Sequence, residues 1–255
     1  MNHEVTFYGF AGSHPCEAVY AAARHKGLDF KTVNLPPAIH RLIMRVKFGG
    51  TRVPGATING MKVQGTSSIF LALDYLKADP PLFPSDPEER GRVIAAEHWG
   101  EGEFQDIGRR LIWAHLSRSP ETVRAWAAAG PPGLDQRIKY FSAPHLAQIA
   151  KFGNGATDEQ VEKDLRHLPM LLDRVDELIA EGVIGGDEPN AADFQIFSSV
   201  AMWSNMRDIR PAIKDRPCGE VAARLFPEYK GVVPSGLLPE SWFAELRETA
   251  LSSPA

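Results

Sequence analysis

Residues 13–19 read Ser-His-Pro-Cys-Glu-Ala-Val and closely follow the apolar run Val5-Thr6-Phe7-Tyr8. The run predicts a strand, and residues 16–25 carry alanine, valine and tyrosine at helical spacing, which predicts a helix. Ser13 and Cys16 therefore place a hydroxyl and a thiol on a strand-to-helix turn. Such a turn exposes backbone N–H groups and the positive end of the helix dipole. It is suited to holding a thiolate, either the protein's own or that of a bound small molecule.

The residues that follow predict a small α/β domain. A second strand is expected at 30–33 and a short helix at 39–48. Strands at 53–58 and 61–63 flank Asn59-Gly60, which is the strongest two-residue hairpin signal. Thr66 or Ser67 is expected to cap a further helix through Ile69 and Tyr75. The order strand, helix, strand, helix, hairpin, helix is typical of the thioredoxin-like fold.

The composition changes at residues 78–87, where four prolines interrupt any helix. We therefore predict a thioredoxin-like thiol-binding domain at 1–78, a linker at 79–87 and an all-helical domain with an extended tail at 88–255. Helices are expected at 88–116, 120–129 and 158–181, with a turn at Gly130-Pro131-Pro132-Gly133. Asn190 and Asp193 are predicted to form a capping box at the start of another helix.

Composition and charge exclude several classes of protein. The formal net charge is −4, which gives no reason to expect a nucleic-acid partner. No apolar stretch reaches the length of a membrane span, and no signal peptide is visible. Two distant cysteines form no disulfide framework, so we expect a reducing, cytoplasmic location. No metal-ligand cluster is apparent.

Three motifs in order resemble the cytosolic glutathione S-transferase superfamily, and its theta class in particular. They are the Tyr8 strand followed by Ser13-His14-Pro15-Cys16, the Val-Pro of Arg52-Val53-Pro54, and the capping box Asn190 to Asp193 after Ile184-Gly185-Gly186. The resemblance covers about residues 4–205. It implies a cytoplasmic homodimer with a detoxification role, which transfers glutathione or another small thiol to an apolar electrophile.

By this resemblance Ser13 is the catalytic residue. Its hydroxyl would donate a hydrogen bond to the sulfur of bound glutathione and, together with the helix dipole, lower the pKa of the thiol. The thiolate is the nucleophile, so the reactive fraction would rise. Alternatively, Ser13 is a plain N-cap of the first helix.

Cys16 is the competing candidate because it stands three residues after Ser13, as in a Cys-x-x-Cys redox motif. The exposed nucleophile of that motif is its first residue, which is serine here. A packed cysteine that faces the sheet is therefore the better interpretation of Cys16.

The resemblance also assigns the glutathione site. The proline of Val53-Pro54 would be cis, and Val53 would present its backbone to the cysteinyl part of glutathione. Thr66 and Ser67 would hold the γ-glutamyl carboxylate. The family has glutamate where this chain has Gly65, so the acid that would hold the γ-glutamyl ammonium group is missing.

Two further groups complete the predicted site. His40, Arg41 and Arg52 fall where theta-like proteins place residues near the glycine carboxylate of glutathione. We expect one further set of side chains to line an apolar pocket for the electrophile. The alternative is that these side chains pack in the hydrophobic core. The set is Phe10, His14, Trp113, Met202 and Trp203.

Two alternative functions stay open. A non-catalytic relative would keep the fold with a decayed thiol site, which the glycine at position 65 favours. A thiol-disulfide oxidoreductase would use Cys16.

Overall fold

The computed structural model describes residues 3–10, 12–35, 39–129, 136–229 and 231–252. The chain forms two compact units. The first comprises Met1–Gly102 and Leu178–Ser199, and the second comprises Glu103–Glu177 and Val200–Ala255. The division predicted from composition, with domains at 1–78 and 88–255 and a linker at 79–87, stays a prediction.

A four-stranded sheet is the base of the first unit. Its strands are β1 (Val5–Gly9), β2 (Lys31–Asn34), β3 (Gly55–Ile58) and β4 (Met61–Gln64). The strand order is β2-β1-β3-β4, with β1 parallel to β2 and antiparallel to β3. The hairpin between β3 and β4 turns at Asn59 and Gly60, whose φ angles of 48° and 85° are both left-handed. This confirms the Asn-Gly hairpin, since a type I′ turn needs positive φ at both central residues.

Four helices of this unit are α1 (His14–His25), α2 (His40–Phe48), α3 (Thr66–Leu76) and α4 (Pro87–Trp99). Together with the sheet they confirm the predicted thioredoxin-like order. The predicted cap of α3 is wrong, because Gly65 occupies the N-cap position with a φ of 90°. A left-handed conformation favours glycine. Thr66 and Ser67 thus lie inside the first turn, and their hydroxyls are available for other contacts.

A buried ion pair ties α1 to α3 and to the proline-rich segment. The side chain of Lys26 is fully buried, and its Nζ lies 2.9 Å from Asp74 Oδ1 and 2.6 Å from the Pro80 carbonyl oxygen. Asp74 Oδ1 also accepts a hydrogen bond from the Leu82 N–H at 2.7 Å, and the Leu82 carbonyl accepts one from the Ala191 N–H at 2.8 Å. Lys26 is therefore compensated by a carboxylate and a carbonyl, as a buried charge requires.

Most of the remaining helices lie in the second unit. They are α5 (Gln105–Leu116), α6 (Pro120–Ala129), α7 (Gln136–Gly153), α8 (Asp158–Ala180), α9 (Ala191–Ser204), α10 (Pro217–Leu225) and α11 (Ala244–Ser252). The single helix predicted at 88–116 is divided by a π-helical turn at Gly100–Phe104. A Cβ on Gly100 would come within 2.9 Å of the side chains of Gln195 and Ile196, so the close approach of α9 requires glycine there. The predicted turn at 130–133 lies outside the described residues.

The capping box of α9 is confirmed. Asn190 Oδ1 accepts hydrogen bonds from the N–H groups of Ala192 and Asp193, and Asp193 Oδ2 accepts one from the Asn190 N–H at 2.8 Å. Asp193 Oδ1 also accepts from the Gly185 N–H at 2.6 Å. The carboxylate is buried, and it joins the start of α9 to the preceding glycine turn.

Replacing Asp193 with alanine is expected to lower the free energy of unfolding by about 3 kcal/mol, because two charge-assisted hydrogen bonds from part-buried backbone N–H groups are lost. Urea unfolding followed by circular dichroism measures the change. Glu188→Ala removes an exposed acid from the neighbouring turn and is expected to change stability by less than about 0.5 kcal/mol. Equal effects of the two substitutions would contradict the structural role of Asp193.

Candidate functional site

Ser13 stands at the N-cap position of α1, but its side chain makes no capping hydrogen bond. Its backbone is extended, and its carbonyl accepts hydrogen bonds from the N–H groups of Cys16 at 2.8 Å and Glu17 at 2.9 Å. The hydroxyl instead hydrogen-bonds the Cys16 thiol. The residue is 8% exposed. Capping therefore does not account for the serine, and its hydroxyl lies beside a sulfur atom at the positive end of a helix.

Cys16 is a packed helix cysteine. Its side chain is fully buried, and a Cβ on Gly9 of β1 would collide with its Sγ. Burial raises the pKa of the thiol to about 11, although the hydrogen bond from Ser13 lowers it in part. The thiol is protonated near neutral pH, so Cys16 lacks the exposed, low-pKa thiolate of a redox nucleophile.

Two residues predicted for the electrophile pocket lie near Ser13 in the first unit. His14 is buried on α1, and its Nδ1 lies 2.8 Å from the hydroxyl of Ser199 on α9. The Phe10 ring is half-exposed and meets the His40 ring edge to face, with centroids 5.5 Å apart. Burial, together with the neighbouring Arg41 charge, lowers the pKa of His40. His40 is therefore neutral near pH 7.

The other pocket candidates belong to the second unit. Trp113 is half-buried on α5, whereas Met202 and Trp203 are buried on α9. The Trp203 ring packs on Phe104 with centroids 4.6 Å apart. Met202 and Trp203 thus have the core role that aromatic and methionine side chains at helical spacing commonly have. The electrophile pocket stays a prediction.

The loop before β3 has the predicted cis peptide bond between Val53 and Pro54. Gln64 of β4 holds this loop at two points. Its Oε1 accepts a hydrogen bond from the Gly50 N–H at 3.0 Å, and its Nε2 donates one to the Arg52 carbonyl at 2.8 Å. The Arg52 side chain is exposed. Gln64 is a residue that motif reasoning missed, and it fixes the backbone that leads to Val53.

A pair of carboxylates meets the first turn of α3. Thr66 Oγ1 donates a hydrogen bond to Glu101 Oε1 at 2.9 Å. The Ser67 hydroxyl lies 2.6 and 2.9 Å from the two carboxylate oxygens of Glu97 and 2.7 Å from Glu101 Oε2. A Cβ on Gly65 would be 3.6 Å from Glu101 Oε1. Position 65, where the resembling family has glutamate and this chain has glycine, is therefore next to the carboxylate of Glu101.

Glu97 carries the most strongly perturbed carboxyl group of this cluster. Burial raises its pKa to about 7 despite the hydrogen bond with Ser67, and the nearby Glu101 charge raises it further. The two glutamates are four residues apart, with Glu97 in the last turn of α4 and Glu101 in the π-helical turn that follows it. This spacing is the only feature of the sequence that relates the two glutamates. It does not indicate that their side chains contact α3.

The part of the chain that the structure describes contains neither a metal-binding cluster nor a membrane-spanning helix. In the ranges that the structure describes, no group of three or more histidine, cysteine, aspartate or glutamate side chains is arranged to hold a metal ion. Among the described helices, none combines the length and the apolar composition that a membrane crossing requires.

The N-terminal part of the chain is similar to a known family of domains. The family model described as glutathione S-transferase, N-terminal domain, matches residues 7–81. This stretch is therefore similar to a glutathione S-transferase N-terminal domain, and the chain shares its fold with solved glutathione S-transferases. No curated protein sequence matches the chain.

Several solved structures share this fold at low sequence identity. A glutathione S-transferase from Sinorhizobium meliloti 1021 is 18% identical, with a TM-score of 0.59, and the match covers 95% of this chain and 99% of that one. The theta-class glutathione S-transferase of Xanthomonas axonopodis pv. citri, solved with glutathione bound, is 16% identical with a TM-score of 0.55, covering 91% and 98%. The beta-etherase LigF from Sphingobium sp. strain SYK-6 is 17% identical with a TM-score of 0.55, covering 89% and 100%.

Proposed function

We propose that this protein is a theta-like glutathione S-transferase or a close relative, in which Ser13 activates a low-molecular-weight thiol for attack on an apolar electrophile. One observation carries the proposal. Ser13 occupies an N-cap position without capping the helix, inside the domain that matches the family model. Its hydroxyl is therefore not used by the helix, and in this proposal it turns from the Cys16 thiol to the sulfur of a bound thiol at the N-terminus of α1.

The proposed thiol transfer depends mainly on this hydrogen bond from the protein. The Ser13 hydroxyl donates to the thiolate sulfur, and the α1 dipole favours the negative charge, so the thiol proton is released to solvent at a lower pH. The thiolate sulfur then forms a bond to the electrophilic carbon of the second substrate. The leaving group departs with the electron pair of the broken bond, so no oxidant or reductant is needed.

Glutathione is the first candidate for the thiol, because one structural neighbour is a theta-class enzyme with glutathione bound. In this proposal the Val53 backbone pairs with the cysteinyl part, as an added strand would. The anchoring of the loop by Gln64 supports this role, since it orients the chain before β3. His40 and Arg52 would lie near the glycine carboxylate, and Arg52 would supply the charge because His40 is neutral near pH 7.

A second candidate function has one observation in its favour. Gly65 provides no side chain for the γ-glutamyl ammonium group, which favours a non-catalytic relative that binds or assembles without thiol transfer. The third alternative, an oxidoreductase using Cys16, is disfavoured because that thiol is fully buried and its pKa is raised. A homodimer, a cytoplasmic location and a detoxification role belong to this proposal through the resemblance alone.

The direct test is the pKa of the bound thiol. Thiolate absorbance in the ultraviolet, titrated against pH with the protein in excess, is expected to give a pKa at least about one unit below that of the free thiol. The same protein should conjugate the thiol to an activated aryl halide. A bound thiol with an unchanged pKa, or no conjugation of any electrophile tested, would reject the transferase and leave the non-catalytic relative.

A further inference from the structure

The contacts of Ser67 show how the Glu97 and Glu101 carboxyl groups share hydrogen atoms. A serine hydroxyl carries one hydrogen, yet oxygens of both glutamates lie within 2.7 Å of Ser67 Oγ. One of these contacts therefore needs a proton on a carboxyl group. Glu97 is the group that holds it, because it is 1% exposed and its pKa is raised to about 7. The chain of donors then runs from Glu97 to Ser67 and from Ser67 to Glu101.

The hydrogen bonds to Glu101 occupy the hydroxyl donors that a bound carboxylate would need. In the family the hydroxyl in the first turn of the third helix serves the γ-glutamyl carboxylate, but here Thr66 and Ser67 both donate to Glu101. Thr66 is also 1% exposed. The helix N-terminus still favours a negative charge, and the Glu101 carboxylate already supplies it.

Glu101 affects the two charged groups of the γ-glutamyl end in opposite ways. Its carboxylate would attract the ammonium group through one charge-assisted hydrogen bond. The ligand carboxylate would lose two such bonds, to Thr66 and Ser67, and would be repelled by a like charge nearby. The loss of two hydrogen bonds to the ligand carboxylate outweighs the gain of one to the ammonium group. Glu101 therefore weakens the binding of a thiol that carries this carboxylate.

We propose that Glu101, supported by Glu97 and Ser67, is a specificity-determining residue that occupies the place of the co-substrate carboxylate at α3. The thiol site then selects thiols that carry an amino group and no carboxylate at this end, in preference to glutathione. The inference rests on the proposed function, because it concerns the far end of the same thiol whose sulfur meets Ser13.

The experiment compares glutathione with two matched analogues, one lacking the γ-glutamyl carboxylate and one lacking the γ-glutamyl amine. Calorimetry on the wild-type protein is expected to show about tenfold tighter binding of the analogue without the carboxylate than of glutathione, and the weakest binding for the analogue without the amine. In Glu101→Gln the preference for the analogue without the carboxylate should fall to about one, because glutathione binds more tightly and the ammonium contact is weakened. Glu101 is only part-buried and glutamine has its shape, so the variant is expected to fold.

Glu88→Gln is the matched control, since it removes the same charge from an exposed position on α4. It should keep the wild-type preference within about twofold, and an effect equal to that of Glu101→Gln would overturn the inference by showing a long-range charge effect. Weaker glutathione binding by Glu101→Gln would also overturn it, because Glu101 would then be the missing acid for the ammonium group. If none of the three thiols binds any variant, the proposed function fails and the inference fails with it.

Discussion

Ser13→Ala is expected to lower kcat/KM for thiol conjugation by about tenfold to a hundredfold, because the thiolate loses a charge-assisted hydrogen bond of about 1.5–3 kcal/mol. The loss should be largest below the pKa of the bound thiol, where the thiolate fraction depends on that pKa. Above the pKa of the thiol bound to the variant, which is the higher of the two, the wild type and the variant should converge. Steady-state rates measured across the pH range, with the thiol at saturation and with the thiol limiting, test both expectations.

Cys16→Ala is the matched control for the Ser13 substitution. The thiol is fully buried and protonated, so its removal should leave kcat/KM within about threefold, while a small cavity lowers stability. An oxidoreductase that used Cys16 would give the opposite pattern, with activity lost in Cys16→Ala and retained in Ser13→Ala. If Ser13→Ala conjugates as fast as the wild type, the assignment of Ser13 is wrong.

Glu97→Gln is expected to remove a large pH dependence of stability. The folded-state pKa of Glu97 is about 7, against 4.5 for the ordinary carboxyl group. The folded protein therefore holds this proton more tightly than the unfolded chain does, so stability falls as the pH rises from about 4.5 to 7. The difference amounts to about 3 kcal/mol, and glutamine cannot ionise.

The measurement is the free energy of urea unfolding of both proteins at several values of pH between about 4 and 8. The variant should match the wild type at the acidic end and exceed it by about 3 kcal/mol at the alkaline end. Using the difference between the two proteins cancels other groups that titrate in this range, including His25 and His40. Glu101 and His98 also act on Glu97, and they are present in both proteins. Parallel curves would show that Glu97 is not held protonated.

Local signals in the sequence predicted much of the fold. The Asn59-Gly60 pair fixes its hairpin because the turn demands left-handed residues, and Asn190 with Asp193 fixes the start of α9 because both capping bonds are local. The cis bond at Pro54 followed from the family motif. The cap of α3 could not be read in this way, since Thr66 and Ser67 are good caps by type and only the conformation of Gly65 excludes them.

The candidate site was less predictable where it depends on contacts between distant segments. Ser13 and Cys16 could be compared from their spacing, but only the burial of Cys16 separates their roles. Glu97 and Glu101 meet Thr66 and Ser67 across about thirty residues of chain, and no local pattern reports such a contact. Helix α7 was not predicted as a separate element, although it lies in the region expected to be all-helical.

The proline-rich segment after α3 has a consequence for how this chain tolerates changes in length. Surface connections usually accept inserted residues at little loss of stability. Here the Pro80 carbonyl and both backbone groups of Leu82 are bound to Lys26, Asp74 and Ala191, and the Leu82 side chain is fully buried. An insertion between Pro80 and Leu82 would separate these bonds from one another. The segment that composition marks as a spacer therefore has a fixed length, and permutation or fusion sites belong elsewhere in the chain.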